Sequence, residues 1–433
     1  MSNTPKLARG VSLRLSLMMF LQYAIWGAWL PLLYQYLSNG RGFGEEQIGS
    51  IFVIGGVGAL VAPFIAGQIA DRYFATQHFL GISHLLGAAL VWQLATLENY
   101  ESFLWFSLAY SVIYMPTLAL TNSLALHHIP DKDRDFGRVR TWGTVGWVIV
   151  GIAVGQWLLH HHTPDTGSEE ARLAAQIAGM SDAFRVSAVL GACMGLYCFF
   201  LPNTPPAPAG EGERKSATIE ALREIRMQPL LVLFLLAVPV SCIHQFYFVH
   251  TAGFLGQFQV AGTPQINAIF GVGGGGLMTV GQMSEMLVLM LIPVLAKGLS
   301  RKALLAIGLA AYALRMAIFA YIEHLPEGLQ TPVLLLGLAL HGLCFGCFIF
   351  VSFMIVDEET SSNVRASAQS LYNLVIVGLG IIVGSLLATE GAKRAKDADG
   401  VMNYQTLFGW PMWASLACLG CLFLLYPSKG KRK

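Results

Sequence analysis

Charge is what this chain has least of. Asp, Glu, Lys and Arg together make up 12% of its 433 residues, against roughly 25% in an ordinary soluble domain. That deficit excludes a fully water-solvated surface, and the net charge of +2 leaves no basic surplus for nucleic acid. A disulfide framework is absent as well. All seven cysteines (Cys193, Cys198, Cys242, Cys344, Cys347, Cys418 and Cys421) fall inside apolar runs, as small apolar fillers do. Two pairs, Cys344/Cys347 and Cys418/Cys421, match Cys-x-x-Cys without the His or acidic neighbours of a zinc site. With no His/acid metal cluster and no nucleophile–base pair, the sequence points to no enzyme, metal or cofactor. A signal peptide is not expected either: the first apolar run outlasts an h-region of about 7–15 residues and lacks a small-residue cleavage site.

What the chain has instead is apolar length. Runs of about 20 apolar residues are long enough to cross a bilayer as helices. Twelve are predicted, over 14–37, 47–70, 77–97, 102–126, 136–160, 182–202, 227–254, 266–296, 303–323, 330–356, 365–390 and 404–426. The fold class is therefore an all-α integral membrane protein with two bundles of six helices, 1–202 and 227–433. Between them, residues 203–226 are rich in proline and charge and serve as a linker, with a short interfacial helix expected near Thr218–Met227. Six helices, a linker and six more is the repeat pattern of many secondary transporters.

Lys and Arg give the orientation. With the N-terminus inside, the inner set collects Lys6, Arg9, Arg14, Arg72, Lys132, Arg134, Arg138, Arg140, Arg214, Lys215, Arg223, Arg226, Lys297, Arg301, Lys302, Arg365 and the C-terminal basic tail. The opposite loops hold only Arg41, Arg172, Lys393, Arg394 and Lys396. The positive-inside rule then puts both termini in the cytoplasm.

Within this apolar background, Glu285 stands out. It lies in a run from Gly276 to Ala296 with no other charge before Lys297. A charge at the bilayer centre costs about 2.5–3.5 kcal/mol on insertion scales, so such residues mark polar cavities and proton pathways. Gln282 lies one turn before it on the same stripe. Arg315 is a second intramembrane charge, with a neighbouring acid such as Glu285 or a membrane surface as its alternatives. Arg140, Thr144 and Trp147 recur at i, i+4 and i+7, which sets a guanidinium, a hydroxyl and an aromatic plane on one helical face. That combination suits a polar ligand with a flat ring. If the fifth helix begins near Asp135, Arg140 lies about 7–8 Å along it. Gln245 sits among aromatics in His244-Gln245-Phe246-Tyr247-Phe248. Two other patterns are set aside. Gly271–Gly276 satisfies G-x-G-x-x-G but lacks the strand that motif needs, so a closely packed or flexible helix segment is expected. His160-His161-His162 reads as a solvated outer loop.

Several blocks resemble a known family. They are Leu21-Gln22-Tyr23-Ala24-Ile25-Trp26-Gly27-Ala28-Trp29-Leu30, Tyr114-Met115-Pro116-Thr117-Leu118, Arg140 to Gly146, Gln282-Met283-Ser284-Glu285 and Arg365-Ala366-Ser367-Ala368-Gln369. In order over nearly the whole chain they resemble the bacterial nucleoside:proton symporters of the major facilitator superfamily. Gly67-Gln68-Ile69-Ala70-Asp71-Arg72 resembles part of that superfamily's loop 2–3 signature, which implies a gating role for Asp71 and Arg72. The resemblance implies a central site between two six-helix halves and import of a nucleoside with a proton. Its positions around the nucleoside match Arg140, Thr144, Trp147, Gln245, Gln282, Glu285 and Phe345. Two positions depart. Phe248 stands where relatives carry an Asn, and Gly346 where they carry an intramembrane Asp beside Phe345. The second departure leaves Glu285 as the proton-coupling acid, with His341 as its candidate auxiliary. The expected partners are thus a nucleoside, a proton and the bilayer of the inner membrane, for a monomeric chain. The alternatives are a symporter or facilitator for another polar solute such as a sugar, and a membrane sensor that binds nucleosides without moving them.

Overall fold

Helix starts follow from local chemistry. Asn99, Asp131, Ser168, Ser300 and Asn403 each accept, through the side chain, a backbone N–H three residues on, which satisfies a donor that the first helical turn leaves unpaired. The computed structural model describes residues 7–65, 74–205, 220–258, 262–361 and 364–427.

Twelve long helices run through it. They are α1 (Arg9–Trp29, continued by tighter and wider turns to Gly40), α2 (Glu45–Ile65), α3 (Thr76–Leu94), α4 (Tyr100–His128), α5 (Lys132–His161) and α6 (Ser181–Cys198). Then follow α7 (Leu230–Gln257), α8 (Gly275–Gly298), α9 (Arg301–Tyr321), α10 (Glu327–Leu343, carried on by Cys344–Phe350 and Val351–Glu359), α11 (Arg365–Asn373, carried on to Ala395) and α12 (Tyr404–Leu425). Among the described residues, eleven helices are both long and apolar enough to cross a membrane. The twelfth, α3, has the length but carries Gln77, His78, His84 and Gln93. The described residues form no strand, only one antiparallel bridge between Lys396 and Met402.

The chain divides into two compact units. The first holds Met1–Pro208 with Thr251–Phe258 and Pro264–Thr279; the second holds Ala209–His250, Gln259–Thr263 and Val280–Lys433. Within the first unit α1 packs on α5, α2 on α4, and α3 on α6. The second unit repeats the pattern: α9 packs on α12, Gln245 of α7 meets Ser385 of α11, and Ser284 of α8 meets Ala339 of α10. Glycine permits the tightest of these approaches. A Cβ at Gly146 would lie 2.2 Å from the Phe20 carbonyl oxygen, and one at Gly342 would lie 2.4 Å from Ser284 Oγ.

Four expectations change. The eighth span does not begin at 266. A short helix, Thr263–Phe270, ends in a turn whose Gly271, Gly273 and Gly274 have φ of +75°, +82° and +78°, and α8 starts only at Gly275. The Gly271–Gly276 run is thus a tight turn, held by the Val272 N–H donating to the Gly155 carbonyl at 3.0 Å. Helix α5 starts at Lys132, three residues early, because Asp131 caps it; at 1.5 Å per residue this sets Arg140 about 12 Å along the axis. His160 and His161 belong to the last turn of α5, and His162 Nε2 lies 2.8 Å from Asp182 Oδ2. Part of the linker, residues 220–225, is helical.

Candidate functional site

In the first unit the site face is built from α5 against α1. Arg140, Thr144 and Trp147 share one face of α5, and all three are half-buried. The guanidinium of Arg140 lies 4.1 Å from the centre of the Tyr23 ring. Trp147 packs onto the backbone at Gly27, where an added Cβ would stand 2.9 Å from Cδ2 of the indole, and meets Trp26 edge-on at 6.1 Å. A cation stacked on a phenol and an indole held by a glycine form a firm aromatic wall.

Behind that wall lies a buried polar network. Gln22 Nε2 donates to Thr117 Oγ1 at 2.9 Å, and Gln22 Oε1 accepts from His84 Nε2 at 2.9 Å. The Tyr114 hydroxyl donates to the Gln22 carbonyl at 2.5 Å. Buried amides with every group satisfied act as fixed scaffolding. Sequence reading missed this network, along with Tyr23 and Trp26. The signal was Leu21–Leu30, where Gln22 and Tyr23 break an otherwise apolar run. An open cavity of about 450 Å³, lined by Arg9, Arg134, Asp135, Arg138 and Trp142 among others, belongs to a different face. Arg138 and Trp142 are each two residues from Arg140, about 200° around the helix.

The second unit holds the acid. Glu285 is half-buried on α8, and its Oε2 lies 3.6 Å from Nε2 of His341 on α10. His341 is 1% exposed. Its Nδ1 faces Arg315 Nη1 at 2.9 Å, and Arg315 on α9 is wholly buried. The expected neighbour of Glu285 is thus present, but the two are bridged by an imidazole. His244 stacks on His341 at 5.4 Å and faces the Tyr312 hydroxyl through Nδ1 at 2.7 Å. Gln282 is buried with an Oε1 that has no hydrogen-bond partner among the described residues. Gln245 donates to Ser385 Oγ at 3.1 Å. Phe345 is half-buried, 6.4 Å from His244.

Phe345 and Gly346 fall in a wide-turn segment of α10, Cys344–Phe350, and such insertions into membrane helices gather at functional sites. Gly346 is closely covered: a Cβ there would stand 2.7 Å from Val288 Cγ1. Asp71 and Arg72, expected at a gate, lie outside the described residues. No group of three His, Cys, Asp or Glu suited to a metal occurs among the described residues.

Residues 9–430 match the profile of the family described as nucleoside H+ symporter. The chain belongs to that family. YegT of Escherichia coli K12 is 31% identical over 429 residues, covering 95% of this chain and 93% of that protein. The xanthosine permease of the same strain is 29% identical over 419 residues, covering 94% and 93%. A crystal structure of the nucleoside transporter NupG superposes with a TM-score of 0.81 at 24% identity, covering 97% of this chain and all of that one. At that identity it shows the fold alone, the twelve-helix architecture of the major facilitator superfamily. The nucleoside H+ symporter family thus supplies the context for Glu285: its relatives here are named as permeases and transporters, and this chain is a multi-pass membrane protein like them.

Proposed function

We propose that this chain imports nucleosides together with protons across the bacterial inner membrane, by alternating access of a site that opens to one side at a time. The observation that carries the reading is Glu285: a half-buried carboxylate within a membrane helix, beside a buried His341 at 3.6 Å, in a member of the nucleoside H+ symporter family. A group that must lose or gain charge while it crosses needs both partial solvent access and a polar partner, and Glu285 has both.

The nucleoside contacts divide by chemistry. Trp147 and Phe345 present faces to the base, and Gln245 offers an amide to its edge. Arg140, Gln282 and Glu285 serve ribose hydroxyls and base polar atoms, with Thr144 adding a hydroxyl beside Arg140. The unpartnered Gln282 Oε1 supports this assignment, because a buried acceptor without a partner costs about 1–3 kcal/mol that a ligand donor recovers. Glu285 carries the coupled proton, with His341 beside it. Asp71 and Arg72 act at the inner gate. The chain works as two six-helix halves, 1–202 and 227–433, joined by a cytoplasmic 203–226 linker. It is monomeric, with both termini cytoplasmic, and it is not an enzyme.

The test is uptake of labelled uridine and adenosine into proteoliposomes, with and without an inward proton gradient. Accumulation above the external concentration is expected only when the outside is more acidic. Uptake that equilibrates but ignores the gradient would make the chain a facilitator, and competition by sugars but not nucleosides would reassign the substrate.

A further inference from the structure

The cluster behind Glu285 contains a charge that the transport reading does not use. Arg315 is 0% exposed. Its guanidinium lies 4.0 Å from the centre of the Tyr247 ring and 5.1 Å from that of Tyr312. Two of its nitrogens, Nε and Nη2, have no hydrogen-bond partner among the described residues, and only Nη1 reaches one, His341 Nδ1 at 2.9 Å. A fully buried cation is costly to keep, so this single contact needs an explanation.

The chemistry of the contact is one-directional. A guanidinium has donors and no acceptor, so Nδ1 of His341 must offer its lone pair. An imidazole that accepts at Nδ1 carries its hydrogen on Nε2. That nitrogen is the one that faces Glu285 Oε2 at 3.6 Å. A ring protonated on both nitrogens would have no lone pair left for Arg315. The ring is also held in place. Tyr247 stacks on it at 5.1 Å and His244 at 5.4 Å, with planes within 25° and 27° of parallel. Gly281 gives it room, since a Cβ there would come within 2.9 Å of His341 Cβ.

We propose that Arg315 is a positioning residue for the site acid: by occupying Nδ1 it fixes His341 as a neutral donor whose Nε2–H points at Glu285, so that one group and not two exchanges protons there. His341 then cannot serve as a second proton carrier. The buried positive charge of Arg315 is balanced while Glu285 is ionised and unbalanced when it is protonated, so occupancy of the proton site is felt across three helices. The titratable and charged groups in contact with His341 are His244 and Tyr247 of α7, Glu285 of α8 and Arg315 of α9; Tyr312 of α9 joins the cluster through His244 and Arg315, and Cys344 lies three residues on along α10. The proposal rests on Glu285 being the proton-exchanging acid of the transport reading.

The experiment reads the ring directly. Imidazole nitrogen-15 spectra of the full chain in detergent or nanodiscs, with His341→Gln used to assign the signal, report which nitrogen bears hydrogen. In the wild type a neutral Nε2–H form that does not change between about pH 5 and 8 is expected. A wild-type ring that titrates there, or that bears hydrogen on Nδ1, overturns the proposal without any variant. Arg315→Lys supplies another donor and should keep the ring silent, whereas Arg315→Gln should release it to titrate. In proteoliposomes, Arg315→Gln should change the proton concentration for half-maximal uptake by about tenfold, and Arg315→Lys should restore it. A purely structural arginine would lower the amount of active protein and leave that profile in place. Failure of the two readings looks different: a silent ring with gradient-independent uptake sinks proton coupling alone, and a titrating ring with gradient-driven uptake sinks the positioning role alone.

Discussion

Arg140 on α5 and Arg315 on α9 each lay a guanidinium on a tyrosine ring from the first helix of a six-helix set, Tyr23 at 4.1 Å and Tyr247 at 4.0 Å. Their surroundings differ. Arg140 is half-buried on a face shared with Thr144 and Trp147, whereas Arg315 has no exposed surface at all. Arg140 thus keeps part of its side chain open to solvent. Arg315 spends its one hydrogen bond on His341, and rings cover the rest. On the reading proposed above, the same side chain on the same kind of ring serves a ligand in one unit and stays an internal charge in the other, and burial is what separates the two. Sequence alone pairs each with a plausible role but cannot rank the two, because exposure is set by helices distant in the chain.

The largest effect that would sharpen this contrast is expected at the acid. Glu285→Gln mimics the protonated carboxyl and permanently unbalances Arg315. Gradient-driven accumulation should be lost while nucleoside exchange survives. The measurement is uptake against a concentration gradient with pH as the sole driving force, compared with counterflow on the same vesicles. If the variant still concentrates nucleoside, Glu285 is not the coupling acid. The charge of Arg315 would then need another balance.

Next in size is a crossed pair of substitutions. Arg140→Ala should weaken nucleoside binding at least tenfold, or about 1.4 kcal/mol, with little change in thermal stability. That is below the roughly 2–5 kcal/mol seen for buried charge pairs, because Arg140 is partly solvated. Arg315→Ala should do the reverse. It opens a gap among Tyr247, Tyr312 and His341, so the melting temperature should fall. Affinity per folded molecule should move less than at Arg140. Calorimetry and thermal scanning on the same preparations decide it, and equal loss of affinity in both variants would erase the distinction between the two arginines.

A smaller effect is expected where the second unit has lost an acid relative to the pattern that the resemblance implies. Gly346→Asp must displace Val288, whose Cγ1 would stand 2.7 Å from the new Cβ. Overpacking of this kind costs about 1–3 kcal/mol. Val288→Ala in the same chain should recover most of the lost thermal stability. If Gly346→Asp alone is as stable as the wild type, the packing around the buried cluster is looser than the α8–α10 contact indicates.

Much of this was legible in the residues, for identifiable reasons. Composition and run length are local properties, so the helical membrane architecture followed from them. The shared face of Arg140, Thr144 and Trp147 followed from helical spacing. Interruptions within a run were harder. The eighth span reads as continuous from 266 because glycine, uncharged and near neutral in hydropathy, does not interrupt an apolar run, yet φ near +75° to +82° at three glycines breaks it there. The polar network around Gln22 was missed because its partners, His84, Tyr114 and Thr117, come from α3 and α4. In the sequence Arg315 is a charge in want of a partner, but an imidazole standing between it and Glu285 is a three-helix arrangement that no spacing encodes.

The smallest expected effect lies beside Arg140, at Trp147→Phe. The ring face is kept, so stacking on a base persists, but the smaller ring leaves a gap over Gly27, whose backbone the indole now covers. An aromatic contact contributes about 0.5–1.5 kcal/mol beyond its buried area, and Phe forfeits only part of that. Affinity should therefore fall by about two- to threefold, with stability nearly unchanged. Trp147→Ala removes the face altogether and should cost more than Trp147→Phe for nucleosides while leaving ribose affinity unchanged. Competition by free ribose and by free base against labelled nucleoside separates these terms. If Trp147→Phe costs as much as Arg140→Ala, or weakens ribose and base alike, the indole holds Arg140 and Tyr23 in place instead of meeting the base. The first unit would then have no exposed ligand face to set against the buried charge of the second.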